Sequence, residues 1–200
     1  MTDKRIVEII NTKQFGTLLY ECESHEVEVL AGQKQSASTL FYGSFLLGYL
    51  INDDLNNCRF LWKRMPNDAK KDDDLKGIWE VAKQLWNRNY EGAYQAISQL
   101  SPASPQLKEL INYFVDQLRQ RTLLLISKAY ANINTNDLMK CLGINDVNVL
   151  NQIVSPLNWT FDSATNVYIP QVITVKPPEM PVGLDAIKGM TQKAVFLELD

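Results

Sequence analysis

The chain has one histidine, His25, and it stands between Ser24 and Glu26. Serine, histidine and a carboxylate are the parts of a hydrolytic triad, but a triad needs groups converging from separate elements. Immediate neighbours in a helix or loop do not converge, so the sequence predicts a solvated or helix-capping histidine. A hydrolytic zinc site in its usual form needs at least two histidine ligands, which this chain cannot supply alone. The three cysteines, Cys22, Cys58 and Cys141, are widely spaced and form no CxxC pair. They read as small buried apolar residues, with neither a disulfide framework nor a metal site expected. Asp72-Asp73-Asp74 is an acidic triplet. Adjacent carboxylates on a helix do not converge on one ion, but they suit a helix N-terminus, where the macrodipole is positive. No GxxxxGK[ST] or GxGxxG run occurs, so no phosphate cradle is expected. These residues predict no catalytic, metal or cofactor site.

Composition narrows the remaining classes. Two hundred residues, 46% apolar and 22% charged, can bury a core without disulfides and suggest one or two domains. A net charge of −3 gives no global attraction to nucleic acid or to an anionic membrane. The basic pairs Lys63-Arg64 and Lys70-Lys71 read as solvated helix surface. The first residues, Met1 to Asn11, mix Asp3, Lys4, Arg5 and Glu8 among apolar side chains and have no signal-peptide core. The most apolar window, Thr39 to Ile51, is interrupted by Gly43, Ser44 and Gly48 and is shorter than the roughly 20 residues of a membrane span. No membrane partner is expected, and the chain should be cytoplasmic, nuclear or both. Asn158-Trp159-Thr160 matches a glycosylation sequon by chance, with Trp159 in the core.

Helical periodicity dominates the first two thirds. A first helix is predicted near Lys13 to Glu23, with Phe15, Leu18, Leu19 and Cys22 on one face. The loop Ala31 to Ser38 follows. Ser38 or Thr39 caps a helix ending near Asn52, and Asp53 or Asp54 caps another that Pro66 stops. The helix opened by the acidic triplet should bury Leu75, Trp79, Ala82 and Trp86. Trp62, Trp79 and Trp86 read as core at helical spacing, not as ligand-stacking residues. The next helix runs near Tyr90 to Leu100. Gln106 to Ile133 contains no breaker and is either one long helix or two joined near Arg119 to Arg121. Antiparallel helices on short loops predict a helical-repeat solenoid like tetratricopeptide repeats over 1–133, without the clean repeat signature.

The texture then changes. Asn134-Thr135-Asn136 can cap a short helix, Asp137 to Leu142, closed by Gly143. Asn145 or Asp146 caps a second, through Val154, with Val147, Leu150 and Val154 inward. Trp159-Thr160-Phe161 and Val167-Tyr168-Ile169 read as a hairpin, and Val172 to Val175 as a further strand or an exit. Helix, turn, helix, hairpin over 134–176 is the winged-helix pattern. Such modules often grip DNA, yet no Lys, Arg or His lies between Cys141 and Val175. DNA affinity rests on cations neutralising phosphates, so the partner expected here is another protein. Over 177–200, Pro177, Pro178 and Pro181 stiffen a linker. A last amphipathic helix, Asp185 to Leu199, carries the apolar stripe Leu184, Ile187, Met190, Ala194 and Leu197, predicted to bind partner helices.

Helical repeats, a winged helix and a C-terminal helix form the layout of the PCI domain. The run Asn56-Asn57-Cys58-Arg59-Phe60-Leu61-Trp62-Lys63-Arg64-Met65-Pro66 resembles the N-N-A-R-[YF]-L-W-K-R-[IM]-P signature of the smallest, eighth-subunit family of the constitutive-photomorphogenesis signalosome. Cys58 stands where that family usually has alanine. The resemblance continues through Gly77-Ile78-Trp79, Trp86, Arg88, Tyr94 to Ile97 and Phe196-Leu197-Glu198. In the second unit it is looser, at Trp159, Asp162 and Ser163. It implies a mainly α PCI-domain fold and a non-catalytic scaffold subunit. Its partners would be other signalosome subunits, through PCI neighbours and a shared C-terminal helical bundle, in nucleus and cytoplasm. The complex removes a ubiquitin-like modifier from cullins through a zinc enzyme in a different subunit. The alternative with the same layout is the equivalent small PCI subunit of the proteasome lid. The uncharged second unit generates a direct test: at about 150 mM salt and micromolar protein, duplex DNA binding should be undetectable in a mobility-shift assay.

Overall fold

Side-chain caps divide the chain into its elements. In the computed structural model, which describes residues 2–30, 38–163 and 165–173, Ser38, Asp54, Asp72, Asn89, Asn134 and Asp146 each accept a hydrogen bond from a backbone N–H in the first turn of the following helix. Each such cap contributes about 1 kcal/mol. The helices are α1 (Thr2–Asn11), α2 (Phe15–Leu30), α3 (Thr39–Ile51), α4 (Leu55–Arg64), α5 (Asp73–Trp86), α6 (Tyr90–Gln99), α7 (Pro105–Ala129), α8 (Thr135–Leu142) and α9 (Val147–Val154). Three short strands, β1 (Ile133–Asn134), β2 (Thr160–Asp162) and β3 (Val167–Ile169), make one antiparallel sheet in the order β1-β3-β2. The fold is mainly helical with this small sheet.

Two apolar clusters form on this framework. The first is centred on α3, where every residue from Phe41 to Leu50 is buried, as expected of a helix apolar all round. Around it pack Ile6, Ile9 and Ile10 of α1, Leu18 and Cys22 of α2, Cys58 and Leu61 of α4, Leu75 and Ile78 of α5, and Leu107, Leu110 and Phe114 of α7. The second cluster joins Leu123 and Ile126 of α7 to Leu138 and Leu142 of α8, Leu150 and Val154 of α9, and Ile133, Trp159 and Tyr168. The region Gln106 to Ile133, which the sequence left as one helix or two, forms a single 25-residue helix through Ala129, followed by β1. Pro105 sits at its first turn, where a missing N–H is harmless.

The two arginines in the middle of α7 face different neighbours. Arg121 donates to the carbonyls of Leu50 and Ile51 at 3.0 and 3.1 Å, satisfying the C-terminal end of α3. Arg119 donates to the carbonyl of Leu142 at 3.1 Å, at the end of α8. One helix therefore holds the last carbonyls of one element on each side.

Several expectations are corrected. The segment Met1 to Asn11, read only for targeting signals, contains α1. Its Ile6, Ile9 and Ile10 have helical spacing, and a turn at Lys13, with φ 56°, separates it from α2. His25 is not solvated: it is buried, 6% exposed, with its ring 4.8 Å from that of Phe41. It continues the inward row of Leu18 and Cys22. On α5 the buried face is Leu75, Ile78, Val81, Ala82 and Leu85. Trp79 is half-buried, and Trp86 is 46% exposed. The aliphatic stripe fills the interior, and the large indoles take the rim, where an apolar ring and a polar N–H can both be accommodated. On α9, Leu150 and Val154 turn inward but Val147, at the first position of the helix, is 46% exposed. Lys63-Arg64 is only partly solvated surface, since Arg64 donates to both carboxylate oxygens of Glu26 at 2.6 and 2.7 Å and ties α4 to α2.

Gly143 is a point of close approach between the two clusters. It ends α8 in the left-handed region, with φ 62°, and a Cβ there would overlap the Tyr94 ring of α6. An L-residue pays about 1–2 kcal/mol for that conformation, before the ring is displaced. Gly143→Ala should therefore lose about 2 kcal/mol or more, a drop of roughly 4–8 °C in melting temperature for a chain of this size. Thermal unfolding followed by circular dichroism checks this, and an unchanged midpoint would contradict the packing described.

Candidate interaction surface

Among the described residues the acidic triplet and the cysteines do not converge on one site. The three carboxylates of the acidic triplet have separate tasks: Asp72 caps α5 and accepts from the Thr39 hydroxyl at 3.1 Å, Asp73 pairs with Lys76 at 2.8 Å, and Asp74 accepts from the backbone N–H of Ala103 at 3.2 Å. Cys22 and Cys58 are buried, Cys141 is half-buried, and none is in a disulfide. Burial pushes the thiols of Cys22 and Cys58 up to about 12 and raises that of Cys141 as well, with Asp137 adding to the effect. Such thiols are poor nucleophiles and poor ligands at neutral pH. Among the described residues no three His, Cys, Asp or Glu side chains are grouped to hold a metal ion.

The surface that stands out is built by α9, the hairpin and the chain that follows. Leu150 and Val154 anchor α9 to the second cluster, which leaves Val147, Asn148, Val149, Asn151 and Gln152 on its outer side. The Tyr168 hydroxyl donates to the Asn151 side chain, locking α9 against β3. The Thr135 hydroxyl donates to the carbonyl of Asn166 at 3.0 Å, holding the hairpin turn to the start of α8. Phe161 lies opposite Tyr168 in the register, with ring centroids 4.7 Å apart, and covers it from the solvent side. Phe161, Ile169 and Val172 remain exposed.

Among the described residues strand β2 is an edge of the sheet, and all three of its residues are exposed. An edge strand offers backbone N–H and C=O groups for pairing with another chain. The charges on this part of the chain are the carboxylates Asp146 and Asp162, with no Lys, Arg or His from Cys141 to Val175. Exposed apolar side chains, a stretch of chain without cations and an edge strand suit protein contact and oppose phosphate binding. The exposure of Val149, Phe161 and Ile169 was not read from the sequence. Their signal is an excess of apolar residues in an eight-residue helix and two three-residue strands, more than one small interior can cover.

The predicted partner-binding residues Leu184, Ile187, Met190, Ala194 and Leu197 lie outside the described residues, so the structure neither joins them to this face nor separates them from it. Among the described residues, no helix is long and apolar enough to cross a membrane.

Comparison with known proteins decides the lineage. Residues 36–179 match the model described as the CSN8/PSMD8/EIF3K family. The chain belongs to that family. It is 33% identical over 99% of its length to a Dictyostelium discoideum protein named COP9 signalosome complex subunit 8, covering 98% of that relative. A Xenopus laevis protein of the same name is 32% identical over 94% of each chain. One from Arabidopsis thaliana is 27% identical over 96% of this chain and 97% of its own. For a member of the CSN8/PSMD8/EIF3K family, the signature run Asn56–Pro66 falls on α4 and the turn after it, packed on α3 and α5 of the first cluster.

The raised thiols give a pH prediction. A thiol at about 12 is ionised in roughly one molecule in ten thousand at pH 8. Cys22 and Cys58 should stay unmodified by a thiol-reactive disulfide at pH 8 until the chain unfolds, while half-buried Cys141 reacts first. Mass spectrometry of the labelled peptides reads the order. Rapid labelling of Cys22 or Cys58 in the folded chain would contradict their burial.

Proposed function

We propose that this chain is a non-catalytic scaffold subunit of a signalosome, the assembly that removes a ubiquitin-like modifier from cullins and so regulates cullin–RING ubiquitin ligases. The observation that carries this reading is the near-full-length similarity to proteins named COP9 signalosome complex subunit 8. The family description also names PSMD8 and EIF3K, but the relatives above carry the signalosome name, which favours that assembly over the proteasome lid.

In this reading residues 1–133 are a TPR-like solenoid, 134–176 a winged helix and 177–200 a linker with a C-terminal helix, the PCI-domain layout. The order α8, α9, β2, β3, with β1 joining the sheet through β3, supports the winged helix. The cation-free outer face of α9 supports protein contact in place of a DNA-reading role. Neighbouring PCI subunits would meet the chain along this face and the β2 edge. The stripe Leu184, Ile187, Met190, Ala194 and Leu197 would join a shared helical bundle, since a lone helix of that length is marginal in water without packing. Separated thiols at raised pKa and scattered carboxylates support the absence of catalysis by the chain itself. The subunit would work in cytoplasm and nucleus with its complex, as a hetero-oligomer.

Affinity purification of the tagged chain with mass spectrometry should recover signalosome subunits. Recovery of lid subunits in their place would overturn the assignment. Deleting the residues after Pro181, or combining Ile187→Asp with Leu197→Asp, should weaken co-purification while leaving the melting curve of the isolated chain unchanged. A truncated chain that assembles fully but melts far lower would make the tail an intramolecular clasp.

A further inference from the structure

We infer that the groove between α4 and α5 docks an acidic linear segment of a partner protein, with an apolar side chain of that segment seated on Trp86. The inference concerns a surface apart from the hairpin face and does not depend on which assembly the chain joins.

The groove is made by two matching rows. Leu55, Arg59 and Trp62 follow one another at i, i+4 and i+7 on α4, and Trp79, Lys83 and Trp86 do the same on α5. Trp62 and Trp79 stack with ring centroids 5.1 Å apart and planes 4° from parallel, a rigid pair of indoles beside the groove. Leu55, Ala82 and Trp79 line it, with Arg59 on one wall and Lys83 and Trp86 on the other. The guanidinium of Arg59 lies 5.4 Å from the Trp86 ring centroid. Trp86 does no interior work: its neighbour Leu85 is buried, and the aliphatic face of α5 is complete without it. An exposed tryptophan held under an arginine beside a cleft has the makings of an interface anchor, since Trp and Arg dominate interface hot spots.

Charge selects the occupant. The chain carries −3 overall, yet this region reverses the sign. Leu55 also lines a second cleft, which carries Arg88, Arg121 and Lys128. Of the acids nearby, Asp53 is engaged by Arg121 at 3.6 Å, and Glu80 pairs with Lys83. No ion pair among the described residues engages Arg59, Arg88 or Lys128. An extended segment with acidic residues spaced on both sides of an apolar anchor would meet Arg59 first, beside a Lys83 shared with Glu80, and Arg88 and Lys128 beyond. Such complementary charge raises the association rate and fixes register. A nucleic-acid strand fits less well, because its unbroken phosphate row would also meet Asp53 and Glu80.

The test pans a random twelve-residue peptide display library on the full chain. Selected sequences should carry aspartate or glutamate around a leucine or aromatic residue. Measured as fluorescein-labelled peptides by anisotropy, they should bind Trp86→Ala at least ten-fold more weakly, and Arg59→Glu combined with Lys83→Glu more weakly still. The charge-reversed variant keeps the test decisive if Trp86→Ala misfolds by circular dichroism. No selected peptide, neutral or basic selections, or binding untouched by both variants would overturn the inference. So would a labelled twenty-nucleotide oligothymidine that binds more tightly than the peptides and loses that binding with Trp86→Ala. A gain of ten-fold or more in peptide binding when the chain is ended at Pro181 would assign the groove to the chain's own tail and equally overturn it.

Discussion

Both apolar clusters draw on one uninterrupted helix, and the rest of the structure depends on α7 staying continuous. Its N-terminal half gives Leu107, Leu110, Ile111, Phe114 and Leu118 to the first cluster, and its C-terminal half gives Leu123 and Ile126 to the second. Between them Thr122 turns its hydroxyl back to the carbonyl of Leu118 at 2.8 Å, so that buried hydroxyl is satisfied. Arg119 and Arg121 then hold the ends of α8 and α3 from the same turn of helix. Hydrogen bonds from a charged donor are stronger than neutral ones, and here they satisfy carbonyls that a helix end leaves open. The hairpin face is therefore presented from a rigid base.

That rigidity fits a subunit whose work is to be held and to hold others. Among the described residues the cysteines, the histidine and the acidic triplet are not brought together in one site. Its cysteines are buried or half-buried with raised thiols, its histidine is packed against Phe41, and its acidic triplet is divided among a cap, an ion pair and a loop N–H. What the surface offers instead is shape and apolar area: a cation-free face around α9 and the hairpin, and an aromatic groove with cationic walls on the first cluster. The two differ in electrostatics, so they suit partners of different character. Membership in the CSN8/PSMD8/EIF3K family is consistent with a chain whose chemistry lies in contacts.

Much of this was legible from capping residues and breakers. Ser38, Asp72, Asp146 and Gly143 occupy the positions their chemistry predicts, because caps act locally and owe little to tertiary context. What was not legible was which part of an amphipathic helix faces in. On α5, Trp79 and Trp86 lie beside the stripe of Ile78, Val81 and Leu85, and a shift of one position in the inward direction moves the indoles from core to rim. That choice is made by the neighbours, through Trp62 and Arg59, which lie far away in sequence. His25 is the converse case: its neighbours Ser24 and Glu26 carry no sign of burial, and its inward place follows from the spacing of Leu18 and Cys22. The two-residue β1 has too short a pattern to read alone and exists because it pairs with Val167 and Tyr168. The candidate interface was legible in its missing charge, while the exposure of Phe161 and Val149 follows from how little interior the second cluster contains.

Hydrogen exchange of the chain alone and within its purified assembly tests most directly whether a rigid base presents a protein-binding face. Amides of α7 should be strongly protected in both states, while those of α9 and of Thr160–Asp162 should slow markedly only in the assembly. Unchanged exchange at α9 and β2 on assembly, or fast exchange at the middle of α7 in the isolated chain, would contradict it.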